Sequence, residues 1–167
     1  MKIEASLGLS PDGDNIGGKF NPTKKFLKIN NPVTIYKFNR STESIYASII
    51  HELAHAVHWK IDKHDYRESS IKLNESWARG VERELTKMVY SSYEPYYVGD
   101  YTGVVEDMID TDKNKPTSIN ESVSGYTISQ IEKTLEGVRT WNAWRDKIKF
   151  KYHNPTKQYL DALFSNW

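Results

Sequence analysis

Apolar residues recur at helical spacing in two stretches of the chain. The first stretch carries them about four residues apart, at Ile45, Ile49, Leu53 and Ala56 or Val57. This period predicts an amphipathic helix that ends near Lys60. Ser41 or Thr42 is its expected N-cap, because a hydroxyl there accepts a hydrogen bond from an otherwise unpaired backbone N–H.

The second stretch carries apolar residues at steps of three and four, at Leu73, Trp77, Ala78, Val81, Leu85, Met88 and Val89. It predicts another amphipathic helix, beginning at residue 69 or 74 and ending at about residue 91. The intervening residues, 61–70, are largely polar. They allow the chain to turn back, so we expect the two helices to lie side by side.

The first 40 residues carry strand and turn patterns instead. Segments 11–15 and 16–18 are rich in turn-forming residues, and segments 25–29 and 33–38 favour strands. We expect a small, mainly antiparallel sheet in 1–40, the two helices in 41–92 and a helical part in 93–167. Within the last part, the tyrosine-rich segment 90–101 predicts an irregular loop, and helices are predicted at 103–109, 128–138, 141–152 and through Phe164. The predicted fold class is therefore α+β.

Composition narrows the class of protein. The chain has 167 residues, 38% of them hydrophobic, which suits one domain with its own core. The formal net charge of +1, with both signs interspersed, argues against a nucleic-acid partner. We find no apolar run long enough to span a membrane and no signal-peptide core at the start. Cysteine is absent, which excludes disulfides and thiolate zinc sites and favours a secreted or periplasmic bacterial protein.

The candidate chemistry lies on the first predicted helix, in an H-E-x-x-H motif. His51 and His55 are four residues apart, so one helical turn separates them and both imidazoles can reach one small cation. Glu52 lies about 100° around the helix from His51, so its carboxylate can reach a water held by that cation. The motif therefore predicts two metal ligands and a general base.

The second helix offers a third ligand. Glu75 follows His55 after nineteen intervening residues, near the beginning of the second predicted helix. Two histidines and one glutamate leave the fourth tetrahedral position open, which distinguishes catalytic zinc sites from closed structural ones.

These residues resemble the gluzincin superfamily of zinc peptidases. The nineteen-residue interval between His55 and Glu75 is similar to the thermolysin-like branch, whereas the wording of residues 73–78, Leu-Asn-Glu-Ser-Trp-Ala, is similar to the M1 aminopeptidases. The resemblance covers roughly residues 45–82 and implies a zincin-like fold in a minimal form. Residues three and six positions after His55 do not match the longer metzincin motif.

The resemblance implies an activity and roles for particular residues. It implies zinc-dependent hydrolysis of a peptide or protein substrate, with His51, His55 and Glu75 as ligands and Glu52 as general base. Tyr66 matches the thermolysin-like position of an oxyanion-stabilising tyrosine, and Tyr126 and His153 are alternative donors. The superfamily also implies that an edge strand before the metal helix pairs with extended substrate. The G-x-M-x-N exopeptidase motif is absent, which favours an endopeptidase.

A departure from the pattern keeps alternatives open. Thermolysin-like enzymes have an aspartate four residues after the ligand glutamate, where this chain has Arg79. Support for the ligand histidines is therefore expected from Glu82 or a backbone carbonyl. The alternatives are a catalytically inactive zincin-like binding module, and a helical interaction domain in which the motif is accidental.

Two further features have simpler interpretations. His58 shares the helix face of His51 and His55, and we expect it to be packed rather than a ligand. Oxygen-bearing residues at EF-hand-like positions occur at Asp110, Asp112, Asn114, Ser118 and Glu121. They make Ca²⁺ a candidate ligand, but the turn glycine of such loops is replaced by Lys115, so a solvated acidic loop is the preferred interpretation.

Overall fold

The structure is a computed structural model that describes residues 3–5, 18–21, 25–26, 29–30, 33–36, 40–110 and 122–167. Its strands are β1 Ile3–Ala5, β2 Gly18–Phe20, β3 Lys25–Phe26, β4 Ile29–Asn30 and β5 Val33–Ile35. Its helices are α1 Thr42–Ile61, α2 Lys63–Glu68, α3 Ile71–Lys87, α4 Val104–Ile109, α5 Ile128–Glu132, α6 Trp141–Lys151 and α7 Leu160–Asn166, the last preceded by a 3₁₀ turn at Lys157–Tyr159. The predicted α+β class is confirmed.

The strands form a three-stranded sheet and a separate hairpin. In the larger sheet β5 is central, antiparallel to β2 and parallel to β1, while β3 and β4 pair with each other. Two of the three strand pairings are antiparallel, in agreement with the mainly antiparallel sheet expected from the sequence, and the β1–β5 pair is parallel. This parallel pairing is possible because the chain between β1 and β5 exceeds the dozen or so residues that a parallel crossover requires.

The helix that carries the motif begins as predicted. The Ser41 side chain caps α1 by accepting a hydrogen bond from the Ser44 backbone N–H, and α1 ends at Ile61. The polar segment after it contains the short helix α2, capped by Asp62. Helix α3 then runs back along α1, because Glu75 contacts His55 while Glu82, two turns later, contacts the earlier His51.

Two hydrophobic clusters hold this arrangement. The smaller one packs Phe20, Val33 and Ile35 of the sheet against one face of α1. The larger one contains Ala54 of α1 and Trp77 of α3, and continues into the C-terminal helices. Helix α1 is therefore buried between the sheet and the helical body, which leaves one stripe of its surface for the candidate site.

The C-terminal segments complete the larger core. Trp144 is fully buried and donates a hydrogen bond from its indole N–H to Thr134 Oγ1 at 2.9 Å. Trp167 donates its indole N–H to Asp107 at 2.7 Å, and its backbone carbonyl accepts from Lys72 at 2.6 Å. These bonds attach the end of the chain to α3 and α4.

One helix is shorter than its sequence pattern indicates. Thr127 and Gln130 form the predicted capping box, but α5 ends at Glu132 rather than continuing to residue 138. The chain leaves the helix where the Thr134 hydroxyl donates to the Ile131 carbonyl at 2.6 Å, and Gly137 then adopts a left-handed conformation. A side chain that bonds to a helix carbonyl in this way competes with the helix ladder.

Among the described residues, no helix combines the length and the apolar character that crossing a bilayer requires.

Close packing of α3 on α4 leads to a stability prediction. A β-carbon added at Gly80 would overlap the side chain of Val105, which is fully buried. We expect Gly80→Ala to lower the free energy of unfolding by about 1–3 kcal/mol, since overpacking outweighs the helix propensity gained. Chemical denaturation measures this. Ile71→Ala, at an exposed position on α3, is the control and should change stability by no more than about 0.5 kcal/mol. Unchanged stability in Gly80→Ala would show that α4 can move away.

Candidate metal centre

The structure brings the two motif histidines and Glu75 together. Nε2 of His51 lies 3.0 Å from Oε2 of Glu75 and 3.1 Å from Nε2 of His55, and the third side of this triangle, from His55 to Glu75, is 3.3 Å. Both histidines are more than nine-tenths buried. These three residues form a group that could hold a metal ion.

The size of the triangle fits a particular coordination geometry. Ligand atoms about 2.1 Å from a tetrahedral centre lie about 3.4 Å apart, close to the three observed separations. Two imidazole nitrogens and one carboxylate oxygen are a donor set suited to zinc and to other borderline transition metals. The residues present therefore fit such an ion without a change of backbone.

A second layer of side chains orients His51. Its Nδ1 lies 2.8 Å from Oε2 of Glu82, which is 3% exposed. Arg79 donates to both Glu82 oxygens at 2.6 and 2.8 Å, and the Tyr93 hydroxyl also donates to this carboxylate. Glu82 is therefore the support expected in place of the missing aspartate. His55 differs, since its buried Nδ1 has no hydrogen-bond partner among the described residues.

The charges around the triangle of His51, His55 and Glu75 favour a positively charged group at its centre. Burial alone would lower the pKa of His51, but hydrogen bonds and charges of Glu75 and Glu82 outweigh it and raise that pKa to about 9. Burial alone would raise the pKa of Glu75, but hydrogen bonds with His51 and His55 hold it well below its usual range. The carboxylates thus remain ionised and create a negative potential at the triangle.

The predicted base, Glu52, lies on α1 against β2, an edge strand of the three-stranded sheet. Glu52 is 6% exposed, and burial raises the pKa of its carboxyl against the opposing charges of His55 and His51. A β-carbon added at Gly18 of β2 would lie 2.8 Å from Cγ and 3.0 Å from Oε1 of Glu52. Strand β2 can therefore approach Glu52 this closely only because position 18 is glycine.

A cleft of about 600 Å³ opens beside His51 and Glu52. One wall is the face of α1 that also carries Ser48, and the opposite wall is the loop after α3. The loop contributes Tyr93, Tyr96, Val98 and Tyr101. Arg40 lies toward the N-terminal end of α1, where it donates to Ser48 Oγ at 2.9 Å. The loop is irregular, as expected from its sequence, and it forms a mixed aromatic and polar wall.

Tyr66 packs against His55 of the metal triangle and is not among the described residues that line the cleft. Its ring packs edge-on against Phe20, His55 and His58, at centroid distances of 6.4, 6.3 and 5.0 Å. Burial and the charges of Glu75 and Glu52 raise the pKa of its phenol. His58 is fully buried behind it, and burial lowers the pKa of His58 to about 3. His58 is therefore packed, as predicted.

Tyr101 is a candidate site residue that the sequence did not identify. Its ring lies 5.8 Å from that of His51, and burial together with the charge of Glu75 raises the pKa of its phenol to about 12. The sequence placed it only in a tyrosine-rich segment that is predicted to be an irregular loop. An irregular loop has no sequence periodicity, so the sequence does not show which of its tyrosines reaches the site.

The other candidate residues lie elsewhere. Tyr126 is buried in the larger core, where its backbone N–H donates to Met108, and His153 is exposed after α6. Neither is among the described residues that line the cleft, so the structure gives no support to either as an oxyanion donor. Asp110 ends α4, with its carboxylate 3.9 Å from Arg83, whereas Asp112, Asn114 and Glu121 of the candidate calcium loop lie outside the described residues.

Comparison with protein-family models, with curated proteins and with solved structures gives no significant match to this chain.

The contact between Glu82 and His51 leads to a prediction on metal binding. We expect Glu82→Gln to weaken the affinity for a divalent ion about 10- to 100-fold, since the ligand His51 loses the carboxylate that orients it. Competition titration with Zn²⁺ against a chromophoric chelator measures this. Glu84→Gln is the matched control, because Glu84 lies on the same helix and bonds to Arg83 instead. Equal affinities in both variants would show that Glu82 does not orient the ligand.

Proposed function

We propose that this chain is a small, zincin-like metallopeptidase of the gluzincin type that cleaves peptide bonds as an endopeptidase. The observation that carries the proposal is the triangle of His51, His55 and Glu75, with Glu52 buried beside it at a cleft. What favours a metal site over an ordinary hydrogen-bonded cluster is the donor set, two imidazole nitrogens one helical turn apart and a carboxylate from a second helix.

Within this proposal, each of these residues has a distinct role. His51, His55 and Glu75 would hold zinc, which when bound polarises a carbonyl and lowers the pKa of water to near 7. Glu52 accepts the proton of the attacking water and passes it to the nitrogen of the leaving amine. Burial keeps its carboxylate in a fixed position, held against the backbone of β2 at Gly18.

The cleft supports an extended peptide as the substrate. Strand β2 lies at one edge of the three-stranded sheet, and edge strands offer backbone donors and acceptors to an added strand. Gly18 of this strand and Glu52 line the same cleft, so a peptide paired with β2 would pass the proposed base. None of the cleft-lining residues comes from the described C-terminal helices, which pack in the core instead.

A binding module with the same fold is the second candidate. The observation that favours it is the buried Nδ1 of His55, which lacks a partner among the described residues. A histidine that binds zinc through one ring nitrogen usually donates the N–H of the other to a carboxylate, a backbone carbonyl or water, and loss of that contact lowers activity. Such a module would retain zinc and the peptide cleft but would not cleave.

The metal content of the purified protein tests the first step. We expect about one zinc per chain in the wild type and much less in Glu75→Ala, because removal of one of three ligands leaves the site incomplete. Elemental analysis after dialysis against zinc measures both. Wild-type protein that binds no zinc would mean that the motif is accidental, and the enzyme proposal would then be abandoned.

Substitution of the proposed base tests the second step. We expect Glu52→Gln to retain zinc and to cleave peptides about 10²- to 10⁴-fold more slowly, since an amide cannot accept the proton. A peptide library analysed by mass spectrometry, followed by rates on the best substrate, measures this. Glu43→Gln, in the first turn of the same helix, is the control and should match the wild type. A fully zinc-loaded wild type that cleaves no peptide would favour the binding module.

A further inference from the structure

We propose that Tyr101 is a catalytic residue that donates a hydrogen bond to the carbonyl oxygen as it gains negative charge during hydrolysis. This inference rests on the proposed peptidase function and adds a residue to it. In this step water oxygen bonds to the carbonyl carbon, the electron pair of the C=O bond moves to oxygen, and Tyr101 keeps its proton while it donates. The C–N bond breaks afterwards, when Glu52 delivers its proton to nitrogen.

The first argument is position. The Tyr101 ring lies 5.8 Å from the His51 ring and is tilted by 30° to it, and its phenol is near the Glu75 carboxylate. Tyr101 also lines the cleft, together with His51 and Glu52. Its side chain therefore lies beside His51, within hydrogen-bonding reach of Glu75, and also lines the cleft.

The second argument is a comparison with Tyr66. Both phenols are close enough to Glu75 for its charge to act on them. The Tyr66 ring, however, is packed among Phe20, His55 and His58, and Tyr66 is not among the described residues that line the cleft. Of the two tyrosines, Tyr101 is the one that lines the cleft in which a substrate would lie.

The third argument is that a tight turn fixes Tyr101. Val98 and Tyr101 exchange two backbone hydrogen bonds of 3.0 Å each, and Gly99 between them has a φ of 58°. A left-handed φ favours glycine, so the sequence at this point suits a closed turn. The backbone of Tyr101 is therefore held although it lies in an irregular loop.

The turn is docked on the residue next to a metal ligand. Ser76, which follows Glu75 and is fully buried, donates its hydroxyl to the Asp100 carbonyl at 3.1 Å. The hydroxyl of Thr102, itself 1% exposed, donates to Ser76 Oγ at 2.7 Å. The residues on both sides of Tyr101 are thus attached to α3 at the position of the metal triangle, which is the support that a catalytic side chain requires.

The fourth argument is the charge above the ring. The Arg79 guanidinium carbon lies 4.9 Å from the centroid of the Tyr101 ring. A cation over the ring attracts its π electrons and so strengthens the phenol as a hydrogen-bond donor. Arg79 is held in place by its two hydrogen bonds to Glu82.

The test compares three tyrosine-to-phenylalanine variants in the full chain loaded with zinc. We expect Tyr101→Phe to lower kcat about 10²- to 10³-fold, as loss of one oxyanion donor does, with KM and zinc content close to those of the wild type. Tyr159→Phe is the control, because Tyr159 is 43% exposed in the 3₁₀ turn before α7 and is not among the described residues that line the cleft. It should keep the wild-type kcat. Tyr66→Phe is the competing assignment and should retain most of the activity.

A second measurement separates a catalytic role from a structural one. A phosphonate analogue of the best peptide substrate carries the charged tetrahedral group that resembles the transition state. Its affinity for Tyr101→Phe should fall by about the same factor as kcat, whereas an uncleaved ground-state peptide should bind as tightly as before. Calorimetric titration of both ligands measures this without turnover.

Each contrary outcome has a defined meaning. Full kcat in Tyr101→Phe, or loss of kcat only in Tyr66→Phe, would overturn the assignment of Tyr101. A loss that follows reduced zinc content would also overturn it, because Tyr101 would then only hold Glu75. A wild type that holds zinc but cleaves no peptide would instead overturn the proposed function, and the role of Tyr101 with it.

Discussion

The site depends on one contact, the approach of His51 on α1 to two carboxylates of α3. His51 reaches Glu75 at 3.0 Å through one ring nitrogen and Glu82 at 2.8 Å through the other. Such distances require the helices to pack closely, and the small residues Ala54 of α1 and Ala78 of α3, both buried in the larger core, are compatible with this. Because the contact is buried, its electrostatic interactions are stronger than they would be in water. A shift of one helix by 1 Å would open the triangle.

The parts of the site that depend on local spacing could be predicted from the sequence. His51 and His55 share a helix face because they are four residues apart, and the Ser41 cap and the apolar period fixed where that helix begins. Glu75 could be identified because it lies near the start of a second, strongly amphipathic helix. Glu82 was one of the alternatives expected for supporting a ligand, and the structure brings it to His51.

The parts of the site that depend on contacts between distant segments of the chain could not be predicted from the sequence. Gly18 was assigned to a turn because glycine favours turns, whereas it lies in β2 and is required there by the closeness of Glu52. Tyr101 was one tyrosine among several, and only the docking of its turn on Ser76 distinguishes it. The parallel pairing of β1 with β5 likewise joins segments far apart in the chain, and no periodicity within either strand reports it.

Arg79, where the resemblance leads one to expect an aspartate, has a role in this network. Burial favours the neutral form of the Glu82 carboxyl, but the pKa of Glu82 is lowered by His51 and Arg79, so it remains an ionised acceptor for His51. At position 79 the guanidinium contacts both Glu82 and the Tyr101 ring. The supports of a ligand histidine and of the proposed oxyanion donor are thereby one connected structure.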